Sequence, residues 1–346
     1  MQISTLVRKN IQQLAPYSSA RHEFVGSAEV YLDANENPYD TGFNRYPDPL
    51  QKAVKEKLST IKKIAPEHIF LGNGSDEAID LLIRIFCEPR IDHILTLPPT
   101  YGMYKVSASI ADVQVKNILL TPDYQPNVEE ILEVADERSK LLFLCTPNNP
   151  TGNRFERAKV LELLEKFKGV VVIDEAYIDF SAEESYNQLL EKYPNLVVMQ
   201  TFSKAWGMAA IRLGIAYASK EIIHYFNKVK PPYNVNILTQ QAALKALENY
   251  EQQQAVVREI LEERAKLMKA LPAFSFVQNA YPSDANFILI KVEKPNELYK
   301  YLVGKGIIVR NRSNVPLCEG GLRITVGTKL ENEQLMAAMK AYRVCT

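Results

Sequence analysis

The chain has 346 residues, 47% hydrophobic and 24% charged, with 41 acidic and 41 basic side chains that cancel. It is too long for one ordinary core, so two domains are expected. The balanced charge leaves no electrostatic footprint for nucleic acid or a membrane surface. No apolar run approaches the roughly 18 residues of a membrane helix. No signal-peptide core follows Arg8 and Lys9, so a cytoplasmic protein is expected. Residues 1–30 read as an arm with a short amphipathic piece at 7–14. Beyond it the pattern predicts a helix over 50–61, a strand over 68–71 and an amphipathic helix over 76–87. Apolar strands recur at 94–97, 113–120, 140–145, 170–173, 196–200 and 211–218, with helical stretches such as 157–167 between some of them. Several lack alternation, as strands covered on both faces do. This β-α-β rhythm predicts an α/β fold whose large domain, over 31–235, holds a mostly parallel, doubly wound sheet. The rhythm breaks at Pro231-Pro232. A long helical region over 237–271, interrupted near Asn249-Tyr250, leads into a smaller α/β C-terminal domain over 236–346. Its strands are expected at 274–277, 286–292, 307–310 and 322–326, and its helices at 296–303 and 332–343. The arm is expected to pack with this smaller unit.

Scattered cysteines (Cys87, Cys145, Cys318, Cys345) and histidines (His22, His68, His93, His224) offer neither a CxxC pair nor HxxxH spacing. A metal site is not expected, and without a G-x-S-x-G elbow neither is a serine hydrolase. The chemistry instead gathers at strand ends. Gly72-Asn-Gly-Ser-Asp-Glu77 joins a strand to a helix. With Ser75 as N-cap, its first-turn amides form an anion site; the bland alternative is a capped loop. Thr146-Pro-Asn-Asn-Pro-Thr-Gly152 is a rigid turn able to aim Asn149. Val170-Val-Val-Ile-Asp-Glu-Ala-Tyr177 ends a buried strand on Asp174, with Tyr177 three residues on. Lys204 follows the apolar run 196–199, preceded by Ser203 and followed by Arg212. A lysine buried there is costly as a cation, and is tolerated as a Schiff base or beside an anion. One sheet edge could collect Asn149, Asp174 and Lys204, where open α/β sheets bind ligands. Together these parts fit pyridoxal phosphate: a lysine for the aldehyde, an anion for the pyridine nitrogen, donors for the phenolic oxygen and a helix N-terminus with hydroxyl and guanidinium groups for the phosphate.

With those residues assembled, the chain resembles the histidinol-phosphate aminotransferases, a class II group of the fold type I pyridoxal-phosphate-dependent aminotransferases. The resemblance runs almost end to end. It is carried by Leu14-Ala-Pro-Tyr-Ser-Ser-Ala-Arg21, Leu32-Asp-Ala-Asn-Glu-Asn-Pro38, Asn44-Arg-Tyr-Pro-Asp-Pro49, Pro98-Pro-Thr-Tyr-Gly-Met-Tyr104, Ser203-Lys204 and Gly321-Leu-Arg-Ile-Thr-Val-Gly327.

It implies a ping-pong exchange of L-histidinol phosphate and 2-oxoglutarate with imidazole-acetol phosphate and L-glutamate, in histidine biosynthesis. By the same resemblance Lys204 holds the cofactor's aldehyde and shuttles the proton, and Asp174 pairs with the pyridinium nitrogen. Asn149 and Tyr177 bond the phenolic oxygen, and Tyr101 stacks on the ring. Gly74, Ser75, Asp76, Ser203 and Arg212 hold the phosphate. Tyr46 reaches that phosphate from a neighbouring subunit, which implies a homodimer with shared sites. Arg323, Arg310 and Tyr17 receive the substrate's anionic end, with Arg312 the alternative to Arg310. Other readings are a decarboxylase of a phosphorylated amino acid and an aromatic or branched-chain aminotransferase. A regulatory pyridoxal-phosphate domain would need a DNA-binding segment, for which the arm is expected to be too short.

Overall fold

A computed structural model describes residues 2–17 and 28–342. Seven strands form the larger sheet: β1 (Ile69–Asn73), β2 (His93–Thr96), β3 (Gln114–Asn117), β4 (Ser139–Cys145), β5 (Val170–Asp174), β6 (Leu196–Thr201) and β7 (Leu213–Ala218). Their spatial order is β1-β7-β6-β5-β4-β2-β3. All run parallel except β7, which pairs antiparallel with both β1 and β6. Every residue of β5, β6 and β7 is buried, which explains why their sequences do not alternate. One set of side chains, Leu142, Leu144, Val171, Ile173 and Val198 among them, packs on one face. The interleaved set, Leu141, Phe143, Val170, Val172, Val197 and Met199, packs on the other. β3 pairs over four residues only and is half exposed, as an edge strand is.

The smaller sheet is wholly antiparallel, in the order β10 (Arg310–Asn311), β11 (Gly321–Thr325), β9 (Phe287–Val292), β8 (Val277–Ala280). Helices Pro295–Gly304 and Lys329–Ala341 accompany it. The helical region before it divides into Ile237–Glu248 and Tyr250–Ala270, parted at Asn249.

Some boundaries differ from the sequence expectation. Pairing begins at Val277 rather than 274, because the chain turns first, with Val277 N–H donating to Phe274 O. β10 is only two residues long. The last helix starts at Lys329, where Thr328 and Glu331 form a capping box. Helices Met103–Ile110, Val128–Val134 and Lys220–Val229 had no sequence expectation. The arm, expected against the small unit, instead seats its described start on the large one. Ile3, Val7 and Ile11, four residues apart, are buried beside Phe86 and Ile222. Arg8 N–H donates to Ile85 O at 3.0 Å and its guanidinium pairs with Glu88.

The helix after β1 begins at Gly74, not at Asp76, so Ser75 lies within its first turn rather than capping it. Asn73 is the N-cap residue, without a side-chain cap bond, and its own N–H donates to the Glu77 carboxylate. Gly74 has φ +71° and its N–H donates to Arg212 O at 2.8 Å, which ties the turn to the start of β7. There Gly214 lets two backbones touch: a Cβ would lie 2.1 Å from Ser75 N and 2.2 Å from Gly74 C. Gly214→Ala is therefore expected to cost about 3 kcal/mol or more, because neither backbone can retreat. A urea midpoint equal to that of the wild type would show that the contact relaxes freely.

Candidate active site

Three adjacent parallel strands deliver their carboxyl ends to one edge: β4 leads to Asn149, β5 ends on Asp174, and β6 leads to Lys204. They open into a cavity of about 730 Å³. Ser75, Asp76, Tyr101, Asn149, Asp174, Tyr177, Ser203, Lys204, Arg212, Arg310 and Arg323 all line it, as sequence reasoning expects of a shared site. Gly74 lies beneath one wall, where a Cβ would meet Arg212 Nη2 at 2.6 Å.

β5 ends on two carboxylates with different environments. Glu175 is fully buried and satisfied by its own chain: Ser185 Oγ, Tyr186 N–H and Gln200 Nε2 all donate to it. Asp174 is 2% exposed and faces the cavity. Tyr104 Oη donates to its Oδ2 at 2.6 Å and Ala176 N–H to its Oδ1 at 3.1 Å. Among the described residues no lysine or arginine pairs with it. Burial pushes its pKa up, opposed by those two donors and by Lys204. A cationic group placed in the cavity would satisfy this carboxylate. Tyr104 is fully buried and stacked on Phe143 at 4.5 Å, and sequence reasoning assigns it no role. Its spacing from Tyr101 offers no signal that it reaches β5.

Lys204, expected to be buried, is exposed into the cavity because the loop after β6 carries it to the open mouth. Its surroundings still lower its pKa, through desolvation first and then repulsion from Arg323 and Arg212, against the pull of Asp174. Its Nζ stands 5.7 Å from the Tyr177 ring. Tyr177 is held edge-on to Phe287, and its hydroxyl accepts from Asn149 Nδ2 at 3.4 Å. The neighbouring Asn148 is structural, donating to Pro99 O at 2.8 Å.

An anion cup lies at one end. Arg212, at φ +53°, donates to Ser203 Oγ at 3.4 Å and to Ala209 O at 3.1 Å. Its Nη2 lies 3.6 Å from Asp76, whose other oxygen accepts from Tyr101 Oη at 3.1 Å. The carboxylate of Asp76 is thereby engaged by side chains. The first-turn amides of the helix have no partner within it. At the other end, Arg323 donates to Asn149 Oδ1 and lies over the Phe287 ring at 5.0 Å. Arg310 and Arg312 both line this end.

Two expected residues lie outside the cavity of their own chain. Tyr17 is 73% exposed, and the Ser18–Arg21 part of its motif falls outside the described residues. Tyr46 is 51% exposed and stacks on Tyr233 at 4.3 Å. The turn that carries Tyr46 is clamped by buried Lys230, which donates to Pro49 O at 2.8 Å and Pro232 O at 2.9 Å. Burial lowers that amine to about 8. Among the described residues no His/Cys/Asp/Glu group could hold a metal, and no helix is long and apolar enough to cross a membrane.

A lysine, a buried unpaired carboxylate and an anion cup at the carboxyl edge of a doubly wound sheet define a fold type I transferase site. Residues 26–340 match the aminotransferase class I and II family, and the chain belongs to it. It is 55% identical to a histidinol-phosphate aminotransferase of Christiangramia forsetii over 98% of this chain and 97% of that protein. The histidinol-phosphate aminotransferase structure from Clostridium acetobutylicum superposes with a TM-score of 0.79 at 25% identity, covering 86% of this chain and 90% of that one. That from Sinorhizobium meliloti, solved in complex with pyridoxal-5'-phosphate, gives a TM-score of 0.77 at 22% identity, covering 85% and 82%.

The lowered pKa of Lys204 has a direct consequence. A group shifted down sheds its proton at lower pH, so in protein freed of bound ligand its acetylation should reach half its maximum rate below the pH required by a free lysine side chain. Peptide mass spectrometry after brief acetic anhydride treatment across pH 7–11 reads this; a midpoint at or above that of free lysine would contradict the desolvated environment.

Proposed function

We propose that the chain is a pyridoxal-phosphate-dependent aminotransferase that exchanges the amino group of L-histidinol phosphate with 2-oxoglutarate, giving imidazole-acetol phosphate and L-glutamate. The observation that carries this reading is the near-complete match to histidinol-phosphate aminotransferases, together with a cavity that has an amine at its centre and anion-binding groups at both ends. The buried Asp174 without a cation and the cup at Arg212 fit the cofactor's ring nitrogen and phosphate.

When bound, the cofactor supplies an electrophilic aldehyde and an electron-accepting ring. The chain supplies the rest. Lys204, its pKa already lowered, gives up its proton readily and can then carry one to and from the substrate Cα. Asp174, oriented by Tyr104, would pair with the ring nitrogen and favour its protonated form. Asn149 and Tyr177 would hold the phenolic oxygen by hydrogen bonds, and Tyr101 would stack on the ring. Ser75, Ser203, Arg212 and the amides after Gly74 hold the phosphate. Arg323 and Arg310, with Tyr17, receive the substrate phosphate in one half-reaction and a glutamate carboxylate in the other, because a guanidinium suits both anions.

A homodimer completes the site in this reading. Val30, Leu32, Tyr39, Phe43 and Tyr46 are all more than half exposed within one short stretch, a run that a second copy would cover. Tyr46, held away from its own cavity, would reach the partner's. Cytoplasmic location agrees with Cys87, Cys145 and Cys318 being free and buried.

An amino-donor screen with 2-oxoglutarate tests the activity: histidinol phosphate should outpace phenylalanine, and O-phosphothreonine should release no carbon dioxide. Preference for phenylalanine, or decarboxylation, would overturn the substrate assignment. The shared site has its own test. Co-expressed Tyr46→Ala and Lys204→Ala chains should form hybrid dimers that recover part of the activity each variant alone lacks; no recovery means Tyr46 acts in its own subunit or not at all.

A further inference from the structure

Three guanidiniums converge on the wall opposite the phosphate cup. Arg310 on β10 is the direct cross-strand partner of Arg323 on β11. Like charges directly opposite each other destabilise a strand pair. Arg312, two residues beyond Arg310, lines the same cavity, and its N–H continues the pairing by donating to Gly321 O at 2.8 Å.

None of the three is matched by a carboxylate: among the described residues Arg310, Arg312 and Arg323 make no ion pair. The Nε atoms of Arg312 and Arg323 are both buried without a hydrogen-bond partner. Desolvation and the mutual repulsion of the cluster lower the pKa of Arg312, and Cys318 and Tyr177 oppose the shift. Arg310 is exposed at the cavity's rim, whereas Arg312 and Arg323 are half-buried; partly desolvated, unpaired and mutually repelling charges are costly unless an anion joins them.

The charge required depends on that anion. A carboxylate carries one negative charge on two oxygens, and two arginines satisfy it. A phosphate monoester carries about −1.5 to −2 on three oxygens near neutral pH. We propose that Arg312 is a specificity-determining residue that adds a third guanidinium to the Arg310–Arg323 pair, so that this wall favours a phosphate monoester over a carboxylate. The proposal rests on the aminotransferase reading above and sharpens it: one site accepts both anions, and Arg312 ranks them.

The test uses the cofactor-loaded enzyme with Arg312→Gln and Arg312→Lys, following each half-reaction by cofactor absorbance. In Arg312→Gln, kcat/KM for histidinol phosphate should fall roughly 30-fold, about 2 kcal/mol, as expected for losing a charge-assisted hydrogen bond. The value for glutamate should change by less than about threefold, since two arginines still meet its carboxylate. Arg312→Lys should recover part of the loss by restoring charge without the fork geometry. Inorganic phosphate, used as a competitor of glutamate, should bind more weakly to Arg312→Gln by a similar factor. Equal losses for both substrates, or none, overturn the proposal, and an unfolded Arg312→Gln would move the decision to the same ratio in Arg312→Lys. If the wild type refused histidinol phosphate while phosphate competition still weakened in the variant, the substrate reading would fail and the role of Arg312 would stand.

Discussion

Burying Asp174 at the end of β5 is the constraint to which the surrounding structure answers. A carboxylate 2% exposed, with no lysine or arginine in an ion pair with it among the described residues, is unfavourable on its own. The chain meets this with one tyrosine hydroxyl and one backbone amide, and leaves the remaining direction open to the cavity. Glu175, the next residue, faces the other way and is fully satisfied within the protein. The strand's alternation thus separates a structural acid from one kept for a ligand. Tyr104, through its packing on Phe143, gives Asp174 a fixed direction.

The electrostatics of the cavity are arranged along a line. Arg212 and a helix N-terminus stand at one end, Lys204 and Asp174 in the middle, and Arg310, Arg312 and Arg323 at the other. The positive ends raise the cost of a positive Lys204 at the centre, and both Arg323 and Arg212 contribute to its lowered pKa. Groups that bind anions therefore also tune the amine between them. Asn149 links the two halves physically, since its amide nitrogen meets Tyr177 and its oxygen meets Arg323.

Much of this was legible in the sequence because its causes are local. Apolar runs without alternation marked β4, β5 and β6, and strand-end positions then placed Asn149, Asp174 and Lys204 together. What was not legible depends on contacts between distant segments. Nothing near Tyr104 announces that its hydroxyl meets a carboxylate 70 residues away. Gly214 reads as an ordinary strand glycine until Gly74 is seen against it. The exposure of Lys204 follows from a loop whose path periodicity does not encode. The seating of the arm on the large unit was missed because its four-residue apolar spacing fits any helical groove.

The single reversed strand, β7, has a geometric consequence. A parallel neighbour to β6 would require a crossover connection, and its first residue would begin at the far edge of the sheet. Because β7 runs back, Lys204 leaves β6 and Arg212 enters β7 on the same edge, joined by a short stretch of chain. Phe202 N–H donating to Leu213 O and Met208 N–H to Phe202 O at 3.0 Å close that stretch on itself. The loop then acts as a caliper whose jaws are an amine and a guanidinium. A molecule gripped by both is measured by local covalent geometry, so movement of the smaller sheet can reshape the substrate end without altering that span.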